Sequence, residues 1–171
     1  MTDKKFDVYL DLGSSKIRVA AFNKLNQEEI INIEKNCISS LKRNKLNLSN
    51  TENKIDEIIF DLEKNTGVYL RNINLLLDTQ QTLRVSLSVS KNFEGKKIKK
   101  TEVEYLIQDA KQQILKSYFD HSIIHIISTN YKLDDQNYNH PPLDIECNKL
   151  SFDVIFICFS KEIITKIKNL F

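Results

Sequence analysis

The chain has 171 residues, a net charge of +2 and 41% hydrophobic residues. This length suits one domain or two small ones, and the composition is typical of a globular protein with a buried core. The near-neutral charge gives no reason to expect nucleic acid as a partner. Its three cysteines (Cys37, Cys147 and Cys158) lack metal-ligand spacing, and we expect neither a signal segment nor a membrane span. The reducing cytoplasm is therefore the expected compartment.

Residues 6–22 predict a β-hairpin, because apolar and polar residues alternate on both sides of a turn. Gly13 can take backbone angles closed to other residues, so the turn could aim N–H groups and the hydroxyls of Ser14 and Ser15 at a phosphate. Asp11 could hold a water on phosphate-bound magnesium, and Lys16 could reach a phosphate oxygen. An ordinary hairpin turn has the same pattern, so that interpretation stays open.

The chain up to residue 81 predicts half of an α/β domain. A third strand is expected at Ile30 to Ile38, followed by a solvated basic connection at Ser39 to Asn50. A capping box of Ser49 and Glu52 starts a helix that runs from Thr51 to Asn65. The fourth strand, Ile73 to Leu77, could join the first sheet in parallel after this helical crossover.

After Asp78 the pattern restarts and predicts a two-layer α+β unit of strand, helix, strand and strand. The first strand covers Leu83 to Val89, and a basic connection from Lys91 to Lys100 leads into the helix. A capping box of Thr101 and Glu104 starts the helix, which ends near Ser117. Two long strands follow, joined by a loop that carries His140-Pro141-Pro142, and their bounds are Ser122 to Leu133 and Leu150 to Phe159.

A last helix is capped by Ser160, with its apolar residues expected to face inward: Ile163, Ile164, Ile167 and Leu170.

Three further groups of residues favour structural roles. His121 and His125 lie at the start of a strand, where a spacing of four does not direct two ligands at one metal, so we expect no metal-ligand cluster. The lysines around Ile98 could meet anionic lipid or nucleic acid, but a solvated loop before a helix is the favoured interpretation. Cys158 lies in an apolar strand and is expected to be a core residue and not a nucleophile.

The segment Asp11-Leu12-Gly13-Ser14-Ser15-Lys16 resembles the phosphate-1 hairpin of the actin-like ATPases, whose pattern is D-[IL]-G-[TS]-[SA]-K. The order of the later elements is similar to the N-terminal part of FtsA, a family of bacterial cell-division proteins. Pro142, Leu143, Lys149 and Leu150, followed by a strand, resemble the end of the inserted subdomain 1C of that family. Asp144 to Asn148 stand where that loop has glycines.

The resemblance implies an α/β fold: an incomplete actin-like, ribonuclease H-like subdomain with an inserted α+β strand-helix-strand-strand module. Residues 1–81 would form the N-terminal portion of subdomain 1A, and residues 82–160 the inserted 1C-like module. Residues 161–171 would form a helix that either ends the module or returns to subdomain 1A.

The resemblance also implies an ATP-binding scaffold that links the FtsZ ring to the membrane and recruits division proteins. It implies ATP and magnesium as cofactors, with Asp11, Gly13, Ser14, Ser15 and Lys16 at the phosphates and Asp11 reaching magnesium through water. The expected partners are FtsZ, other division proteins and further copies of the chain through the module, with only indirect membrane contact. The expected location is the cytoplasmic face of the inner membrane at the division site.

Some features of the family would lie beyond Phe171, namely the phosphate-2 hairpin, the adenosine segment and the membrane helix. We therefore expect weak or absent nucleotide binding and no ATPase activity from the chain as given. A pilus-assembly scaffold similar to PilM is the alternative function. A sugar or acetate kinase of the same superfold is disfavoured, because such kinases lack a strand-helix-strand-strand insertion at this point.

Overall fold

The computed structural model describes residues 6–13, 16–36, 52–77 and 81–171. The chain divides into two compact units, of which the first comprises Met1–Gln81 with Lys166–Phe171 and the second comprises Thr82–Thr165. Each unit has a four-stranded sheet and its own hydrophobic core. The fold is therefore mixed α/β, and its sheets are built separately.

The first unit contains a sheet with one parallel and two antiparallel strand pairs. Its elements are β1 (Phe6–Leu12), β2 (Lys16–Asn23), β3 (Glu29–Asn36), α1 (Glu52–Thr66) and β4 (Asn74–Leu77). The strand order is β3-β2-β1-β4, with β1 antiparallel to β2 and parallel to β4. The prediction that a strand after the helix joins the first sheet in parallel is confirmed.

Helix α1 covers one face of this sheet. Val8, Leu10 and Leu12 alternate along β1 and are buried together with the apolar stripe of the helix. That stripe consists of Ile55, Ile58 and Leu62. At the sheet margin, the Lys35 ammonium lies 2.9 Å from the Asp61 carboxylate and thereby joins β3 to α1. The core therefore lies between β1, β2 and the helix, and the opposite face of the sheet carries polar groups.

Several predictions for this unit lie outside the described residues. They concern Ser14 and Ser15 of the turn, the end of the third strand at Ile38, the connection from Ser39 to Asn50 and the cap at Ser49.

The second unit is a fully antiparallel sheet packed on one helix. Its elements are β5 (Leu83–Lys97), α2 (Lys100–Ser117), β6 (His121–Leu133), β7 (Gln136–Tyr138) and β8 (Glu146–Ser160). The strand order is β5-β8-β6-β7, so the last long strand lies at the centre. A final helix, α3 (Lys161–Lys168), follows β8, and the Ser160 Oγ accepts a hydrogen bond from the Ile163 N–H at 3.3 Å. This contact confirms the predicted cap.

Alternation along β8 determines which face of this sheet is the core face. Phe152, Val154, Phe156 and Cys158 are buried and pack with the buried residues of α2. The ring of Phe152 also stacks on Tyr131 of β6, with a centroid distance of 5.0 Å. Cys158 is a core residue, as predicted, and burial raises the pKa of its thiol. We call the other side of the sheet, which faces away from α2, the open face.

The prediction of a basic connection from Lys91 to Lys100 is wrong, because β5 continues to Lys97. A β-bulge between Asn92 and Lys96 interrupts the alternation in the sequence, while pairing resumes with Lys96 opposite Cys147. Within the bulge Gly95 has a φ of 79° and Phe93 is buried. The strand was hidden in the sequence because the bulge changes which side chains face the core.

Two local predictions in this unit also require correction. The capping box lies two residues earlier than predicted, at Lys99 and Glu102, since the Glu102 carboxylate accepts the backbone N–H of Lys99 at 3.0 Å. That bond holds the pKa of Glu102 below its usual value. The loop with His140-Pro141-Pro142 contains a short strand, β7, which pairs with the end of β6. Three residues give too little alternation to be recognised in a sequence.

Asp144 adopts a left-handed backbone conformation, with a φ of 63°. Its backbone N–H donates to the Ile98 carbonyl at 2.9 Å, which connects the loop before β8 to the start of α2. Glycine tolerates such a φ without steric cost, whereas an L side chain there is strained. Asp144 therefore occupies a glycine-type position.

We predict that Asp144→Gly stabilises the chain by about 1 kcal/mol, because it relieves this strain. Asp135→Gly is the matched control, since Asp135 is an exposed loop aspartate outside the left-handed region. Urea unfolding of both variants checks the prediction. An Asp144→Gly midpoint at or below that of the parent chain would contradict it.

Candidate functional site

The hairpin of β1 and β2 places Asp11 and Lys16 at one end of the first sheet, on the face away from α1. Asp11 pairs with Arg18 across the hairpin, and Arg18 pairs in turn with Glu34 of β3. Cross-strand partners share a face, and residues two apart on one strand do as well, which adds Lys16 to the same group. Four charged side chains therefore converge beside the turn.

Position 13 requires glycine because there is no room for a Cβ atom, and not because the backbone adopts an unusual angle. A Cβ on Gly13 would lie 2.9 Å from the backbone carbonyl oxygen of Lys16, closer than real Cβ contacts allow. Its φ is outside the left-handed region, which in the described residues holds only Gly67 and Gly95 among the glycines. The sequence argument from backbone angles was therefore wrong for Gly13. The missing Cβ instead lets β2 begin close to the end of β1.

The four charges form a chain of alternating sign across three strands. The Lys16 ammonium contacts the Glu34 carboxylate, and the Arg18 Nε donates to the other oxygen of Glu34 at 2.8 Å. An Arg18 guanidinium nitrogen lies 3.5 Å from a carboxylate oxygen of Asp11. We call this group the hairpin charge network. Sequence reasoning missed Arg18 and Glu34, although the hairpin register could have placed Arg18 opposite Asp11.

Ion pairing in this network shifts the pKa values of two side chains, Glu34 and Arg18. Hydrogen bonds from Arg18 and then Lys16 hold the pKa of Glu34 below its usual value. The same contact with Glu34 raises the pKa of the Arg18 guanidinium. Both groups are exposed, so water and salt screen these interactions and their contribution to stability is small.

The network defines what the hairpin can do chemically. Lys16 and Asp11 have the charges that a phosphate and a magnesium-bound water would require, and their side chains are about one-third to two-fifths exposed. Each already has a partner of opposite sign, so an incoming phosphate must compete with Glu34 for Lys16. The described residues therefore fit part of a phosphate site, in which Lys16 is shared with a carboxylate.

The two histidines of β6 do not form a site with each other. The bulge at Ile124 shifts the register of the strand, and the His121 Nδ1 lies 2.7 Å from a carboxylate oxygen of Asp120. This contact lowers the pKa of Asp120. In the described part of the chain, no group of three or more His, Cys, Asp or Glu residues could hold a metal ion.

None of the helices formed by the described residues combines the length and the apolar character that a membrane crossing requires.

The second sheet offers strand edges as a surface for recognition. Strand β5 has β8 on one side only, and most of β6 likewise lacks a second neighbour in the described residues. Unpaired strand edges present backbone N–H and C=O groups that can receive another strand. The module therefore presents two candidate binding edges.

Residues 80–158 match the family described as the SHS2 domain inserted in FtsA. This range contains nearly all of the second unit, in which β5, α2, β6, β7 and β8 follow one another. The predicted resemblance to the inserted subdomain of FtsA is confirmed, and the chain is FtsA-like in this region. No curated protein matches the chain.

We predict that the pKa of the Glu34 carboxyl lies below that of an ordinary glutamate and that Arg18→Ala moves this pKa back up. A depressed carboxyl pKa stabilises the native state at pH values above the ordinary pKa, and this contribution disappears as pH falls through the lowered native pKa. Side-chain carboxyl NMR follows the titration directly. Arg84→Ala, in the other unit, is the control and should leave it unchanged. Equal effects of both substitutions would rule out the pairing.

Proposed function

Because residues 80–158 carry the SHS2 domain of the FtsA type, we propose that the chain acts as an FtsA-like scaffold in bacterial cell division. The match of this domain is the observation that carries the proposal. Its binding surface would be the module, which joins division proteins and other copies of the chain. FtsZ is the partner expected from the FtsA resemblance. The proposed location is the cytoplasmic side of the membrane at the division site, with membrane contact made through other components.

The geometry of the module supports a role as an insertion that acts separately from the first unit. Leu83 and Cys158 are cross-strand partners, so the chain enters and leaves the module at neighbouring positions. Opposed Cα atoms in antiparallel strands are about 5 Å apart, a gap that a few residues can close. Removal of the module should therefore leave the first unit connected, which permits a deletion experiment.

The module should be required to bring the chain to the division site. We predict that a fluorescent fusion of the full chain forms a band at mid-cell. A variant with residues 83–158 replaced by a short Gly-Ser linker should be diffuse, because the binding edges are gone. Asp7→Ala, which removes an exposed ion pair with Lys24 in the first unit, is the control and should keep the band. A mid-cell band without the module would contradict this role, and fluorescence at pilus sites would favour a PilM-like scaffold.

The proposed cofactors are ATP and magnesium, held at the hairpin. Gly13, Ser14 and Ser15 would approach the phosphates, Lys16 would neutralise a phosphate oxygen, and Asp11 would orient a water on magnesium. When bound, the nucleotide would supply an energy source and a conformational signal. The close strand approach at Gly13 and the exposed charges of Asp11 and Lys16 support this assignment. Pairing of Lys16 with Glu34 opposes tight binding.

We predict that this chain binds Mg-ATP with a dissociation constant of about 1 mM or weaker, which corresponds to about 4 kcal/mol. Calorimetric titration measures it, and Asp11→Ala should abolish whatever binding remains. Asp7→Ala is the matched control, since Asp7 lies on the same strand and pairs with Lys24. Micromolar affinity that is lost in Asp11→Ala but kept in Asp7→Ala would contradict the prediction and reveal a complete site.

A further inference from the structure

Two cations stand side by side at the start of β2. Lys16 and Arg18 are two residues apart on one strand, so their Cα atoms are separated by about 7 Å and their side chains share the face away from α1. The pattern D-[IL]-G-[TS]-[SA]-K ends at Lys16 and therefore does not include Arg18. The hairpin thus carries a second cation beside the one that the pattern supplies.

A single carboxylate bridges these two cations. Glu34 is the cross-strand partner of Arg18 and lies diagonally across from Lys16, whose own partner is Asn36. One oxygen of the carboxylate contacts the Lys16 ammonium, and the other accepts a hydrogen bond from the Arg18 Nε at 2.8 Å. The contact of Arg18 with Asp11 is longer, at 3.5 Å. Glu34 is therefore the anion around which both cations are arranged.

The contacts of the Glu34 carboxylate are those that a phosphate group would make at the same place. Two phosphate oxygens can bridge an ammonium and a guanidinium as the two carboxylate oxygens do, and arginine is well suited to the recognition of such oxyanions. A phosphate dianion also carries twice the charge of a carboxylate. A phosphate group that reaches the hairpin would therefore compete with an internal anion that is already bound.

The position of Glu34 is accessible to an incoming anion. The side chains of Lys16, Arg18 and Glu34 are 40%, 50% and 39% exposed, and all three lie outside the core that α1 covers. Exposed ion pairs of this type are weak and are screened by water and salt. Because the pKa of Glu34 is lowered, its carboxylate is ionised at neutral pH and occupies the two cations whenever no other anion does.

We propose that Lys16 and Arg18 form a two-cation site for a phosphate group, and that Glu34 is an internal competitor that limits the affinity of this site. The inference rests on the proposed nucleotide binding at the hairpin, and it adds Arg18 as a phosphate ligand and Glu34 as a means of regulation. A phosphate group that binds displaces Glu34 and releases both cations at once. The ligand is a terminal phosphate dianion, carried either by inorganic phosphate or by a nucleotide.

Titration of the full purified chain with inorganic phosphate, followed by amide chemical shifts in NMR, tests the proposal. We expect Glu34→Gln to lower the dissociation constant about tenfold, because the competing carboxylate is removed while the size of the side chain is kept. Glu29→Gln is the matched control, since it removes the same charge from an exposed position of β3, and it should leave the dissociation constant unchanged. Dispersed amide spectra verify that both variants fold.

A second substitution tests the role of Arg18. In the Glu34→Gln background, Arg18→Gln should reverse the gain in phosphate affinity, whereas Arg84→Gln, in the other unit, should not. Titration with ATP in the absence of magnesium separates the two sources of phosphate. Equal gains for ATP and inorganic phosphate support a site for the phosphate group itself, and a gain confined to ATP would overturn it. An affinity that Glu34→Gln leaves unchanged, or that Glu29→Gln raises equally, would also overturn the proposal, because Glu34 would then only join β3 to β2.

These outcomes are distinct from failure of the proposed function. Mg-ATP binding that depends on Asp11 but is unchanged by Glu34→Gln would exclude the internal competitor and leave the nucleotide assignment intact. Tighter phosphate binding by Glu34→Gln in a chain that forms no mid-cell band would contradict the scaffold function and leave the two-cation site intact.

Discussion

The second unit depends on the pairing of β8 between β5 and β6. Its two ladders are the most extensive in the described structure, and one face of β8 supplies the centre of the core. Burying a side chain as large as Phe156 contributes about 2 to 3 kcal/mol. Because β8 is the last strand of the module in sequence, β5 and β6 cannot complete their sheet until β8 is in place. The module is therefore complete only when both ends of the insertion are present.

This arrangement also explains how the module can sit inside another domain. Leu83 begins the first strand of the module and lies opposite Cys158 near the end of the last strand. An inserted module whose ends are adjacent changes the surrounding domain little, because the chain leaves and re-enters that domain at neighbouring positions. The same topology leaves the long edges of β5 and β6 outside. A domain that stabilises itself through a central strand thus presents its outer strands for recognition.

The first unit contrasts with this design, because the face of its sheet away from α1 carries charge pairs beside a contact between the rings of Tyr9 and Phe22. Asp11, Arg18, Glu34 and Lys16 neutralise one another across three strands. Exposed pairs of this kind are weak and easily exchanged for another ion. The core lies on the other face of the sheet, under α1, so exchange of these ion pairs does not require the core to move. The buried core and the hairpin charge network therefore lie on opposite faces of one sheet.

The sequence by itself determined the hairpin, the parallel return of β4, the restart near Leu83 and the buried stripe of β8, because strict alternation and helical spacing record which face meets the core. It did not reveal the far half of β5, because a bulge there breaks the alternation. Nor could it reveal that Glu34 joins the hairpin charge network, since Glu34 reaches Lys16 and Arg18 only through the pairing of β2 with β3. The exposure of one edge of β6 was decided by tertiary structure alone. Ser122–Thr129 reads as an ordinary buried strand, and only the position of β8 on one side and the shortness of β7 on the other leave it uncovered.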